Sequence, residues 1–214
     1  KSIDLNFIDI QAVMKQVMAI DFPVLNEQFL PEISREDRAC VLYTSGSTGN
    51  PKGVILKHKG IFRVVESPNF VTVNSADKIA QMANEAFDAA QLECWLAWNN
   101  GASLVIIDKN TMLDPEIFRE QLLAQKITIM WLTAALFHQY AYSQPTLFKQ
   151  LIYLLVGGDA IDKQAVQNVL EVSGEEPLRI INGYGPTEAS IFALSYPLNE
   201  KTLKQYSASP IGRP

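Results

Sequence analysis

The run YTSGSTGNPKG, Tyr43 to Gly53, concentrates groups able to grip an anion. Thr44, Ser45, Ser47 and Thr48 offer hydroxyls, Gly46, Gly49 and Gly53 leave backbone N–H groups unobstructed, and Lys52 adds a point charge. Amides turned inward at glycines, joined by hydroxyl and ammonium donors, suit the oxygens of a polyphosphate. A Walker A loop needs Gly, four residues, then Gly-Lys-Ser/Thr at a helix start. Here Pro51 stands where the second glycine belongs and Gly53 follows the lysine, so a P-loop kinase or GTPase is not expected. Alone, the run also fits a polar turn with one solvated lysine; the residues downstream decide between the two.

The elements that must position such a loop alternate. Val41 to Tyr43, Ser103 to Ile107, Ile127 to Leu132, Ile152 to Val156 and Arg179 to Ile181 read as strands, several of them apolar at successive positions, as in strands covered on both faces. Helices are expected at Gln11 to Met18, Lys57 to Val65, Asp88 to Asn99, Ala134 to Tyr142 and Lys163 to Val172. The clearest helix start is Asp114-Pro115, an acid at the N-cap and proline at the first helical position, with Phe118 and Leu122 one turn apart. Loops are expected at Glu66 to Asn69, Asn74 to Asp77, Asn99 to Gly101, Ser173 to Pro177 and Asn199 to Ser209. The alternation predicts an α/β fold, a largely parallel β-sheet with helices on both faces. The phosphate run, Gly157-Gly158-Asp159 and Asn182 to Glu188 should then leave strands at their C-terminal ends, the ligand-binding edge of open α/β sheets.

Composition narrows the partners. With 214 residues, 48% hydrophobic and 19% charged, the chain can bury a sizeable core. A net charge of -5 without a basic cluster gives no footprint for nucleic acid. No apolar stretch is long enough for a membrane span and KSIDLNFIDI lacks the pattern of a signal peptide, so a cytoplasmic chain is expected. Cys40 and Cys94 lack CxxC or histidine company and read as reduced, buried thiols. His58 and His138 have no nucleophile or acid in a recognised pattern and read as structural, and Trp95 and Trp98 as core.

Three stretches in this order, Tyr43–Gly53, FDAAQLECWLAWNNGASLVI from Phe87 to Ile106, and INGYGPTEAS from Ile181 to Ser190, resemble the adenylate-forming superfamily of peptide synthetase adenylation domains, acyl-CoA synthetases and luciferases. The terminal SPIGRP, Ser209 to Pro214, is similar to that family's next signature. The resemblance spans nearly the whole chain, and the Phe87-Asp88 pair is most similar to amino-acid-activating nonribosomal peptide synthetases. It implies a partial acyl-CoA synthetase/luciferase-like fold over 1–214, one incomplete domain, with an upstream portion and a C-terminal subdomain outside it. Relatives place a catalytic lysine and a ribose-binding aspartate beyond the equivalent of Pro214, so the piece alone is expected to turn over negligibly.

In this family a carboxylate attacks the α-phosphate of ATP and pyrophosphate leaves, so catalysis is mostly positioning and charge stabilisation. The resemblance implies that Thr44, Ser45, Gly46, Ser47, Thr48, Gly49 and Lys52 hold the β- and γ-phosphates. It places Tyr184 against adenine, Thr187 at the α-phosphate and Glu188 on Mg²⁺, with Asn182, Gly183, Gly185, Gly158 and Asp159 lining the nucleotide. Lys52, Thr187 and Glu188 would be the catalytic set. Seen alone, the second motif also fits a Gly-Pro turn opening a helix, with Glu188 favoured by the helix dipole.

Asp88 would pair with the substrate ammonium, although Asp88 with Gln91 before Leu92, Trp95 and Leu96 also fits a capping-box-like helix start. The family's specificity positions fall on Asp88, Ala89, Leu92, Trp131, Leu155, Gly157, Gly183, Ile191 and Phe192, an aliphatic and aromatic wall similar to signatures associated with valine. Such a wall disfavours charged or amide side chains, but separates neighbouring aliphatics by only ~1 to 3 kcal/mol per methylene. A carrier-protein domain of the parent would accept the activated group. An acyl-CoA or aryl acid ligase is the rival within the superfamily, with Asp88 the discriminator; a nucleotide-binding fragment without turnover is the rival from another class.

Overall fold

The computed structural model describes residues 32–45, 49–173 and 178–212. The helix expected at Gln11 to Met18, the Gly46, Ser47 and Thr48 centre of the phosphate run, and most of the Ser173 to Pro177 loop lie outside the described residues. Residues 35–214 belong to one unit and 1–34 to another.

The main sheet has six strands. In chain order these are β3 (Lys78–Gln81), β4 (Ser103–Ile106), β5 (Ile129–Thr133), β6 (Tyr153–Gly157), β7 (Arg179–Tyr184) and β8 (Leu194–Leu198), arranged β4-β3-β5-β6-β7-β8. All neighbours run parallel except β7 and β8. Every residue of β6 is buried, because the strand is central and covered on both faces. Alternate side chains therefore serve two cores. Met130, Leu132, Leu154, Val156 and Ile180 pack in one, with helices α4 (Pro115–Gln125), α5 (Ala134–Ser143) and α6 (Lys163–Val172) supplying Phe118, Leu122, Phe137, Tyr140 and Val166. Ile129, Tyr153, Leu155 and Ile181 pack in the other, against α1 (His58–Val65) and α2 (Asp88–Asn99).

The helix starts follow the capping chemistry read from the residues. Asp114 Oδ1 accepts the Glu116 and Ile117 amides at 3.1 Å each ahead of Pro115, and Asp162 and Thr133 cap α6 and α5 in the same way. Short α3 (Lys109–Leu113) is capped by Asp108.

Several expectations need correction. The phosphate run does not follow a strand of the parallel sheet: its described ends lie on a separate antiparallel hairpin, β1 (Arg38–Thr44) with β2 (Lys52–Lys57), in which Thr44 faces Lys52. β3 escaped notice because its four residues begin with lysine and end with glutamine. β8 contains Pro197, which the sheet tolerates because β8 is an edge. The stretch from Asn199 to Ser209 is not all loop: α7 (Glu200–Gln205) starts in a capping box of Asn199 and Thr202. Trp98 is 58% exposed and stacks edge-on against the half-buried Trp95, so it is not core. Both cysteines are free and only partly buried. His138 is structural, its Nε2 accepting the Asp162 amide at 3.0 Å. Among the described residues no helix is long and apolar enough to cross a membrane.

Candidate functional site

Because β5, β6 and β7 run parallel, Thr133, Gly157 and Tyr184 end at one edge of the sheet. From Tyr184 the chain makes an excursion before returning as β8, closed by the Ala193 amide on the Tyr184 carbonyl at 2.9 Å. Within it Thr187–Ala189 form a single 3-10 turn, followed by Ser190 at φ 58° and Ile191 at φ 74°. The expected helix after Gly-Pro is therefore one turn only. Tyr184 is 51% exposed and Glu188 is exposed, both available to a ligand. Asn182 is buried and its Nδ2 donates to the Pro210 carbonyl at 2.9 Å, which anchors the chain near the end of the described residues. Gly158 and Asp159 are exposed at the end of β6, and the Asp159 carboxylate accepts the Ala160 amide.

Asp88 joins this excursion to α2. Burial pushes its carboxyl above the usual range, against the pull of hydrogen bonds from the Thr187 hydroxyl and from the backbone N–H groups of Ala89, Asp88 and Ile191. The capping-box reading fails in detail: Phe87 is the N-cap, Asp88 is already helical, and Gln91 Oε1 accepts the Trp95 indole N–H at 3.1 Å instead of reaching back. Asp88 is thus a half-buried carboxylate beside the nucleotide turn, with no cation among the described residues bonded to it.

The residues assigned to the apolar wall lie close together. Leu92, Leu155, Ile191 and Phe192 belong to one buried cluster, Trp131 packs against it, and Ala89, Gly157 and Gly183 are buried. Gly157 and Gly183 are register partners on adjacent strands. The Phe192 ring lies directly on Gly183, where an added Cβ would come within 2.2 Å of Phe192 Cζ, and Phe192 also meets Phe70 edge-on at 5.6 Å. One polar atom in the wall was overlooked: Trp131 Nε1 is buried without a hydrogen-bond partner among the described residues. A cavity of about 890 Å³, lined by Arg63, Phe70, Tyr153, Arg179, Phe192 and Tyr196, opens beside Phe192 but includes neither Asp88 nor Tyr184.

The phosphate hairpin meets this region through β2, the strand Lys52 opens, which lies alongside the Thr187–Ala189 turn. Thr44, Ser45, Gly49 and Lys52 are described there, mostly exposed. Two further residues bear on the site. Arg63 bonds the carbonyls of the excursion, and Glu93, 1% exposed, accepts the Met82 and Ala83 amides at 3.1 and 3.0 Å, tying the exit of β3 to α2. Burial pushes the Glu93 carboxyl up to about 7. A charged residue between Leu92 and Leu96 was a readable sign for Glu93; nothing local marked Arg63.

Comparison with known proteins agrees with this geometry. Residues 7–214 match the model of the AMP-binding enzyme family. The chain belongs to that family of adenylate-forming enzymes. It is similar to malpibaldin synthetase of Mortierella alpina, 42% identical over 85% of this chain and 3% of that protein. Surfactin synthase subunit 2 of Bacillus subtilis (strain 168) is likewise 42% identical, over 83% of this chain and 5% of that protein. Among solved structures, PA1221, an NRPS protein containing adenylation and PCP domains, superposes with a TM-score of 0.78 at 30% identity, covering 86% of this chain and 36% of that one. The Klebsiella oxytoca NpsA N-terminal subdomain in complex with anthranilyl-AMSN gives 0.76 at 27% identity, covering 85% and 46%. The chain thus spans 3–5% of the length of these two synthetases.

Proposed function

We propose that the protein carrying this chain activates an amino acid as its aminoacyl-adenylate for nonribosomal peptide synthesis. The observation that carries this reading is Asp88: a half-buried carboxylate with no cation bonded to it among the described residues, one helical turn from Leu92 in the apolar cluster of Leu92, Leu155, Ile191 and Phe192. The substrate ammonium pairs with Asp88, its side chain enters the apolar wall, and its carboxylate lies towards Thr187. A carboxylate oxygen attacks the α-phosphorus of ATP, the P–O bond to the β-phosphate breaks, and pyrophosphate leaves. The phosphate-run hydroxyls, amides and Lys52 stabilise the charge on the departing group. An acid without an α-amine leaves Asp88 unpaired, which is what separates this reading from an acyl-CoA or aryl acid ligase.

Glu188 presents one exposed carboxylate beside Thr187, and among the described residues no three His, Cys, Asp or Glu stand together as a metal cage. Magnesium suits such a donor set, since it is held by one or two carboxylates with substrate phosphates and water. When bound it supplies charge neutralisation at the phosphates, with Glu188 as the protein ligand. The wall fits a small branched aliphatic side chain such as valine, and Phe192 over Gly183 supports this by limiting depth. The activated group passes to a carrier-protein domain, a reading supported by similarity to an adenylation and PCP protein. Because the chain spans so little of its synthetase relatives, turnover is assigned to the full protein and not to this chain alone.

Pyrophosphate exchange by the full protein, across a panel of amino and carboxylic acids, tests the reading. Fastest exchange is expected with a branched aliphatic amino acid; a preference for a charged amino acid, or for acids lacking the amine, overturns it.

A further inference from the structure

We propose that α1 is the positioning element of the amine subsite, with Arg63 and Gly60 holding the Ser190–Ile191 turn in the strained form that meets Asp88. The inference rests on the amino-acid-activating reading above. Ser190 and Ile191 both have positive φ, 58° and 74°. For a β-branched residue such as Ile191 this is a genuine outlier, and it persists only where the surroundings over-determine it. Those surroundings come from both sides.

On one side, Arg63 Nη2 lies 2.9 Å from the Ala189 carbonyl oxygen, 3.3 Å from that of Ser190 and 2.7 Å from that of Phe192. A guanidinium is a fixed planar set of donors, suited to carbonyls that converge. Three residues earlier on the same helix face, Gly60 lets α1 come up against Ser190: an added Cβ would lie 2.3 Å from Ser190 Oγ and 2.9 Å from Ser190 Cβ. On the other side stands the half-buried Asp88 carboxylate, whose electrostatics feel the Ile191 amide and the Thr187 hydroxyl. The turn is therefore gripped by its carbonyls from α1, with Asp88 of α2 facing it. Helix α1 begins directly after β2, so the element that grips the turn is continuous with the hairpin that carries Lys52. Released, Ser190 and Ile191 relax towards negative φ, carrying the Ile191 amide and Thr187 away from Asp88. The amine subsite is then lost while the phosphate-binding donors on the β1–β2 hairpin, Thr44, Ser45 and Lys52, stay in place.

The test uses pyrophosphate exchange by the full protein. Arg63→Ala and Gly60→Ala should each raise KM for the amino acid about tenfold or more, with KM for ATP changing less than about threefold, the split expected when one substrate's binding is lost. Ser190→Gly separates this from general destabilisation. Glycine takes positive φ freely, and it removes the side-chain atoms that the methyl introduced by Gly60→Ala would strike, so Gly60→Ala with Ser190→Gly should recover the amino-acid KM. Amide exchange across Ala189 to Ala193, read on the same proteins, should accelerate in Arg63→Ala. An amino-acid KM within about twofold of wild type in both single variants, a double variant no better than Gly60→Ala, or unchanged amide protection overturns the grip. If the wild type exchanges pyrophosphate with no amino acid, the activating reading fails, and amide protection alone then decides for or against the grip.

Discussion

The two faces of the main sheet are built differently. On the face covered by α4, α5 and α6, Leu154, Val156, Met130 and Leu132 meet Phe118, Phe137 and Tyr140 in an apolar core whose helix starts are capped and whose buried Tyr140 hydroxyl donates to the Met112 carbonyl. Among the described non-glycine residues, positive φ there is confined to Lys126, an ordinary left-handed helix C-cap. The face covered by α1 and α2 breaks these rules repeatedly. It has two strand positions without side chains, Gly157 and Gly183, an indole N–H on Trp131 without a partner among the described residues, two strained residues at Ser190 and Ile191, and Asp88 with no cation bonded to it there. The α4–α6 face has buried atoms of its own without a partner among the described residues, at Gln144 Oε1 and Gln150 Nε2, so what sets the α1 and α2 face apart is its strained backbone and the half-buried Asp88, the features the proposed site uses.

That contrast can be broken by substitution. Phe118→Ala, in the rule-keeping core, should cost about 3–5 kcal/mol of stability, read by denaturant unfolding, while the folded fraction keeps its substrate preference. A changed preference would show that the two faces are not functionally separate. Glu93 gives a comparable effect that depends on pH. Its folded value of about 7 lies above the ordinary 4.5, so between those values the folded state holds the proton that the unfolded state has lost. Stability therefore falls as pH rises through this window and is level above it, by on the order of 3 kcal/mol in full. Glu93→Gln should flatten that fall in pH-dependent melting curves. A slope that survives assigns the linkage to another group, Asp88 being next because its shift has the same sign.

On substrate choice, Phe192→Ala should have the smallest effect and the most specific one. With the ring removed from Gly183 the wall deepens, and relative kcat/KM should move towards longer aliphatic side chains, by ~1 to 3 kcal/mol per methylene accommodated. Unchanged relative rates would mean that Phe192 packs against the wall without bounding it.

Much of this was legible because it depends on local chemistry. The Asp114-Pro115 start, the buried run of β6 and the glycine-rich loops all announce themselves within a few residues. The proposed wall followed from resemblance, and Leu92, Leu155, Ile191 and Phe192 share one buried cluster. What could not be read depends on partners far along the chain. The hairpin topology of the phosphate run needs the pairing of Thr44 with Lys52, and β8 needs β7 to recruit a strand containing proline. Arg63 acts on carbonyls about 126 residues away, and an isoleucine gives no hint that it will adopt positive φ. The capping reading of Asp88 was a local rule overridden by a distant partner, Thr187.

The most direct measurement is the ratio of kcat/KM for valine to that for 3-methylbutanoate, its analogue without the amine, in the full protein and in Asp88→Ala. A charge-assisted pair at Asp88 contributes about 1.5–3 kcal/mol, so the ratio should be high in the wild type and fall about 10- to 150-fold in the variant, with the loss confined to valine. A ratio that is the same in both proteins would contradict the assignment of Asp88 as the ammonium anchor.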